Sequence, residues 1–187
     1  MVENIGNVFY FQWEQDLLHW IQGIRNPMLD FIVPKITSLA NYGRFWVAVV
    51  FLLLIIPKHR KLGLQCTIAI AISVILCNII IKPLAMRTRP CWLEPDLLQL
   101  IKSPKDYSFP SGHTNISFVV AASVFSRNKK LGIPLLVIAA LIGFSRMYVF
   151  VHWPTDILCG MLTGVIGAFS AYMIVNYINK RMGKTIN

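Results

Sequence analysis

The residues with the means to do chemistry fall into three short strings. They are Lys82-Pro-Leu-Ala-Met-Arg-Thr-Arg89-Pro90, then Pro110-Ser-Gly-His113, then Ser145-Arg146 with His152 and Asp156 downstream. Lys82, Arg89 and Arg146 carry permanent positive charge, and the two guanidinium groups are planar forks suited to bidentate contacts with phosphate oxygens. Ser111 and Gly112 stand immediately before an apolar stretch, so their backbone N–H groups, at a helix N-terminus, would point at the same anion. Phosphoryl transfer also needs a nucleophile and an acid for the leaving group, and two imidazoles supply both. His152 precedes Trp153-Pro154, and proline favours the first turn of a helix, which places Asp156 in that turn. From there its carboxylate reaches back to the imidazole, sets the tautomer and stabilises the imidazolium. His113 has no carboxylate neighbour in sequence, which suits a residue that must be protonated and donate to the departing oxygen.

Each string also has a plainer use. Lys82 and Arg89 would serve as interfacial anchors, Pro-Ser-Gly as a turn before a helix cap, and His152 beside Trp153 as part of an aromatic belt. Gathered on one face, the strings would need all three plain uses to hold at once. Metal binding is the rival use of two histidines and an aspartate, but zinc requires further ligands, and the surrounding cations repel a metal while attracting an oxyanion. The expectation is no metal and no cofactor.

Helices in a membrane must position these strings. Of 187 residues, 56% are hydrophobic and only 14% charged, whereas a soluble domain carries about 25% charged residues. Disorder is excluded by the same abundance of apolar and aromatic side chains. A spanning helix needs about 20 mostly apolar residues, so the length accommodates roughly six. The predicted fold is an all-α integral membrane protein, a six-transmembrane-helix bundle forming a single domain over 1–187. Its spans fall at about 27–42, 44–57, 63–81, 114–126, 131–151 and 154–179, the first two short or tilted. Segment 8–25 places aromatic and aliphatic residues at helical spacing beside Glu14, Gln15, Asp16 and Gln22, the pattern of an interfacial amphipathic helix. Met1–Asn7 lacks the basic region of a cleavable signal peptide. The long loop 90–110 joins two of the strings, and Leu97, Leu98, Leu100 and Ile101 are expected to form an amphipathic lid over the entrance to the site.

The net charge of +10 would suggest nucleic acid in a soluble protein. Here three basic clusters, Lys58/Arg60/Lys61, Arg127/Lys129/Lys130 and Lys180/Arg181/Lys184, follow the second, fourth and sixth predicted spans. That parity is the positive-inside pattern. It predicts no nucleic-acid partner, a cytoplasmic-membrane location with basic loops and both termini cytoplasmic, and the three strings on the extracytoplasmic face. Arg87 reads as an interfacial anchor. Cys66, Cys77 and Cys159 read as small packing residues, and Cys91, in the loop, as a thiol open to labelling from outside. The five tryptophans read as belt residues. Cys159, Gly160, Gly164, Gly167 and Ala168 line one side of the last span, where small residues permit close helix contact. Packing within the bundle is favoured over homodimerisation, so a monomer is expected.

The three strings, K-x6-RP at 82–90, PSGH at 110–113 and SR-x5-H-x3-D at 145–156, fill every position of a three-part signature. In this the chain resembles the type 2 phosphatidic acid phosphatase (PAP2) family. The resemblance implies a six-helix membrane core and metal-independent dephosphorylation of a lipid phosphate through a phosphohistidine. Carried onto this sequence, it makes His152 the nucleophile, Asp156 its partner and His113 the general acid. Lys82, Arg89, Ser111, Gly112 and Arg146 would hold the phosphate. The favoured substrate is undecaprenyl diphosphate, because the chain is short with minimal loops like compact bacterial members. Phosphatidylglycerophosphate and phosphatidic acid are the alternatives. A non-catalytic transporter or anion-binding protein is the alternative from another class.

Overall fold

A computed structural model describes residues 10–183; positions 1–9, with Met1–Asn7, and 184–187, with Lys184, lie outside the described residues. The regular elements described are all helical. They are α1 (Gln12–Gly23), α2 (Pro27–Ser38), α3 (Arg44–Ile55), α4 (Arg60–Val74), α5 (Lys82–Ala85), α6 (Pro90–Leu93), α7 (Gly112–Arg127), α8 (Lys129–Tyr148) and α9 (Pro154–Arg181). Between α4 and α5 the chain winds on as a π-helix, Ile75–Ile81. Local signals fix the helix starts. Asn26 caps α2 ahead of Pro27 by accepting from the Leu29 N–H at 3.0 Å, and Asn128 caps α8 by accepting from the Leu131 N–H at 3.1 Å.

The bundle is built around α7, which packs against α8 and α9, with α4 closing on both α7 and α9. Small residues set these distances. A Cβ on Gly160 would lie 2.6 Å from the Ser111 carbonyl oxygen, and one on Gly164 would lie 2.8 Å from that of Asn115, so α9 approaches α7 only because these positions are glycine. Gly167 makes the same approach to Ser73 of α4. The small-residue stripe is therefore consumed inside the bundle. Buried polar side chains tie the same three helices, with Asn115 donating to Ser73 Oγ at 2.6 Å and to Thr163 Oγ1 at 2.8 Å. Outward, Phe51, Ile79, Leu158, Leu162 and Phe169 are exposed, the apolar exterior of a membrane protein.

Among the described residues three stretches are long and apolar enough to cross a membrane, within Pro57–Leu93, Lys129–Tyr148 and Pro154–Arg181, and α2 with α3 counts as a fourth if the pair, bent by 50°, is one span. The expected spans 27–42 and 44–57 are thus two arms of a bent pair. Each arm has 12 residues, about 18 Å of helix against a hydrocarbon core of about 30 Å.

The three strings lie at one end of the bundle. Lys58, Lys61 and Arg127 meet at the other, around a small pocket shared with Asn179 near the end of α9. Helix α1 packs at the string end, where Gln22 donates to the Tyr148 carbonyl at 3.2 Å. The first and last described helical turns therefore occupy opposite ends, against the expectation of both termini on one face. Nor is Glu14 on a wet face of α1. It shares a buried face with Leu18 and Ile21, because it is paired with Arg87, which is itself fully buried rather than an interfacial anchor. Trp46 and Trp153 are buried as well, so neither is a belt residue.

Candidate active site

Ser111 is the N-cap of α7: its Oγ accepts from the Thr114 N–H at 3.4 Å, and its own N–H donates to the Asp156 carbonyl at 3.0 Å. That bond docks the start of α7 on the start of α9 and brings two strings together. It also corrects one expectation. The Ser111 N–H is already spent, so the first-turn donors left for an anion are those of Gly112 and His113. Gly112 lines a cavity of about 600 Å³ whose wall also includes Lys82, Arg89, His113, Arg146 and His152. Of the eight residues singled out in the sequence, six line this cavity and two, Ser111 and Asp156, sit directly behind it.

His152 lies in the turn between α8 and α9. Its Nδ1 is 3.2 Å from Asp156 Oδ2, and its Nε2 is 3.1 Å from Arg89 Nη1. A guanidinium cannot accept a hydrogen bond, so Nε2 must be the acceptor and the proton resides on Nδ1, donated to Asp156. The Nε2 lone pair is thus engaged by Arg89, at the wall of the cavity that both residues line. Burial, and then the charges of Arg89, Arg146 and Lys82 with His113 behind them, hold the His152 imidazole well below its ordinary pKa. It is neutral at pH 7. Asp156 also accepts from the Trp153 N–H at 2.9 Å, a capping contact that fixes the carboxylate beneath the ring.

The cationic arms are differently engaged. Arg89 donates to the Val151 carbonyl at 2.7 Å and, through Nε, to the Asp106 carbonyl at 2.7 Å. Arg146, buried at the end of α8, donates one Nη to Thr37 Oγ1 at 2.8 Å, and its Nε has no partner among the described residues. The Asp106 carboxylate bridges the other two arms, 2.6 Å from Lys82 Nζ and 2.9 Å from Arg89 Nη2. It occupies the place between them that an anion would take. Burial raises its pKa, but Lys82 and Arg89 outweigh this and hold the carboxyl below the ordinary range. His113 Nε2 is 3.0 Å from Asn41 Oδ1, at the junction of α2 and α3. Among the described residues, no group of three or more His, Cys, Asp or Glu side chains is placed to hold a metal.

The loop supplies Pro104 and Asp106 to the cavity wall but no lid of leucines. Leu97, Leu100 and Ile101 pack instead on a core formed with Leu18, Ile21 and Tyr148, and Leu98 points outward. Cys91 is buried in the same cluster, 3.4 Å from Ser103 Oγ, and is not an accessible thiol. Four residues at or behind the site escaped the sequence reading: Glu14, Asn41, Arg87 and Asp106. Glu14 did leave a signal, since it stands at helical spacing with Leu18 and Ile21 on the face of α1 that had to be buried.

An apolar groove continues from the cavity between α3 and α4. Val47 and Ile70 belong to both, and Val50, Phe51, Leu54 and Thr67 complete the groove.

The family model described as PAP2 superfamily matches residues 62–180. An undecaprenyl-diphosphatase of Sulfolobus acidocaldarius is 37% identical over 67% of this chain and 62% of its own length, so the chain spans less than two thirds of that relative. The undecaprenyl-diphosphatase BcrC of Bacillus subtilis is 31% identical over 77% of this chain and 74% of its own. The crystal structure of Aquifex aeolicus LpxE superposes with a TM-score of 0.77 at 27% identity, covering 92% of this chain and 99% of that one. With the matched region holding all three strings, the chain belongs to the PAP2 superfamily.

Proposed function

We propose that this protein is a membrane lipid phosphatase that converts undecaprenyl diphosphate to undecaprenyl phosphate through a phosphohistidine on His152. The observation that carries the reading is the oriented imidazole. Asp156 holds the Nδ1 proton, and Nε2, left as an acceptor and engaged by Arg89, belongs to a ring lining a cavity walled by Lys82, Arg89 and Arg146. Nε2 attacks the terminal phosphorus, and the bond to the bridging oxygen breaks. His113 gives that oxygen a proton, and undecaprenyl phosphate leaves. Asp156 stabilises the imidazolium while the phosphoryl group is attached. Water then attacks phosphorus, His113 takes its proton back, and inorganic phosphate departs. The three cations and the N-terminal donors of α7 balance the charge that builds on the equatorial oxygens. Vanadate, which adopts the geometry of this transition state, is expected to inhibit.

The apolar groove between α3 and α4 supports a long hydrocarbon substrate, because it lies on the membrane-facing side and runs into the phosphate cavity. The names of the two relatives favour the polyprenyl diphosphate over phosphatidylglycerophosphate and phosphatidic acid. Basic residues gathered at the end away from the cavity support a cytoplasmic-membrane protein with its site on the extracytoplasmic face. In this reading the bent α2–α3 pair, α4 with its π-helical continuation, α7, α8 and α9 make five crossings. Helix α1 then lies along the outer interface, and the protein works as a monomer.

Purified protein in chelator, offered undecaprenyl diphosphate and the two glycerolipid phosphates in one detergent, is expected to release phosphate fastest from the diphosphate. His152→Ala should abolish release while the protein stays folded. Release that survives this substitution refutes the mechanism, and a preference for either glycerolipid refutes the substrate. For topology, Lys105→Cys places an exposed thiol near the cavity mouth. Labelling by an impermeant maleimide in intact cells is expected; labelling only after permeabilisation would reverse the orientation.

A further inference from the structure

The buried charges behind His152 do not stop at Asp156. While Oδ2 of that carboxylate serves His152, Oδ1 accepts from Arg87 Nη1 at 2.8 Å. Nη2 of Arg87 donates to Glu14 Oε2. The other oxygen of Glu14 accepts from the Thr155 N–H at 2.9 Å and from its hydroxyl at 2.7 Å. The Arg87 guanidinium also reaches Thr155 Oγ1 at 2.7 Å and lies over the Trp153 ring, 5.2 Å from its centroid. Glu14, Arg87 and Asp156 are all fully buried. A chain of charges therefore runs from the reacting imidazole to α1, more than 130 residues away in sequence.

The sign of each link decides what the chain does. When Nε2 bonds to phosphorus, positive charge develops on the imidazole, and a net negative charge behind Nδ1 is needed to stabilise it. Asp156 alone would supply that, but an Asp156–Arg87 pair is close to neutral and supplies little. Among the described residues Glu14 completes the group and returns Asp156, Arg87 and Glu14 to a single net negative charge. In a buried site these charges are poorly screened, so the third member is felt at the first.

We infer that Glu14 is a positioning residue for the reaction: by engaging Arg87 it leaves Asp156 free to act as a full carboxylate toward His152, which makes α1 part of the active site. The inference rests on His152 being the nucleophile. Glu14 also holds the first turn of α9 through Thr155, so the test must remove its charge and keep its acceptor.

Glu14→Gln does this. Measured on the full-length protein with undecaprenyl diphosphate, it is expected to lower kcat by about tenfold or more with KM within about twofold. Inhibition by vanadate should weaken in step with kcat, while inhibition by inorganic phosphate, which reports only the cationic arms, should not change. The double variant Glu14→Gln/Arg87→Gln leaves Asp156 as a lone carboxylate and should recover most of the lost kcat and vanadate affinity. Two results would overturn the inference: unchanged kcat and vanadate affinity in Glu14→Gln, or a double variant no faster than the single, as a purely structural role for the pair requires. Should Glu14→Gln fail to fold, the double variant decides alone, near-native kcat supporting the inference and loss comparable to His152→Ala overturning it. Failure of the underlying mechanism would look different, because His152→Ala itself would then retain activity.

Discussion

Asp106 is the one acidic side chain among the described cavity-lining residues, and it lies between two of the cations proposed to hold the substrate's phosphate. Its carboxylate touches Lys82 and Arg89 at 2.6 and 2.9 Å, so an incoming phosphate has to displace it before both arms can engage. Asp106→Asn keeps the shape and removes the competing charge. The Asp106 side chain is 58% exposed, so each contact is a solvent-screened ion pair worth about 0.2–1 kcal/mol. Two of them give roughly 0.4–2 kcal/mol. At about 1.4 kcal/mol per factor of ten, KM for the lipid diphosphate and the inhibition constant of inorganic phosphate should both fall about 2- to 30-fold, with kcat little changed. The sign with pH follows from the depressed pKa of Asp106. A depressed carboxyl keeps its ion pairs above its ordinary value and loses them only as pH falls through the lower, folded one. The advantage of the variant should therefore be constant from neutral pH down to about 5 and shrink in stronger acid. Steady-state phosphate release and phosphate inhibition at pH 7 and pH 5 measure all of this. A variant with raised KM would refute the reasoning, because Asp106 would then be helping to hold substrate, through Lys82 and Arg89, rather than competing with it.

Asp156→Asn leaves a neutral amide beneath His152 and should lower kcat by about 10³–10⁴ with little change in KM, measured as phosphate release under saturating lipid. Ile70→Trp fills the groove between α3 and α4 where it meets the cavity. It should raise KM for undecaprenyl diphosphate several-fold more than for a short-chain diphosphate, and equal effects would remove the groove from tail binding. Gly164→Ala puts a Cβ 2.8 Å from the Asn115 carbonyl oxygen and 2.9 Å from the Val119 nitrogen. Overpacking of this kind costs about 1–3 kcal/mol, so the thermal midpoint in detergent should drop by several degrees.

The site was legible where it is local in sequence. His152 and Asp156 are four residues apart across a helix start, and Ser111-Gly112-His113 opens the next helix in space, so composition and spacing alone point to their chemistry. Asp106 was not legible: it is one charge in a loop of mixed charge, and nothing in spacing tells which member turns inward. Arg87 misled because a cation near a span end is usually an anchor. The span count was less legible for a related reason. Hydropathy registers that 27–42 and 44–57 are apolar but not that the helices there have 12 residues each and meet at a bend of 50° by Tyr42 and Gly43. A parity drawn from six spans puts both termini on one face, whereas α1 and the end of α9 lie at opposite ends of the bundle, with Lys58, Lys61 and Arg127 still together.

The charges at the string end explain why so many cations can be buried there without substrate. Lys82, Arg87, Arg89 and Arg146 face Glu14, Asp106 and Asp156. These seven side chains leave one net positive charge. Glu14 and Asp156 are fixed by buried contacts to Arg87 and Thr155, whereas Asp106 is on an exposed loop segment and can swing away. Its release would raise the net charge to two, which the dianion of a terminal phosphate cancels. A site arranged this way distinguishes its ligand by charge as well as shape, because a monoanionic phosphodiester would leave one positive charge uncompensated and gain less from displacing the carboxylate. On that argument Asp106→Asn should tighten binding of both ligands by a similar factor and leave the preference for a terminal phosphate over a diester in place, since both must displace the same carboxylate and the preference comes from the charge each brings to the arms.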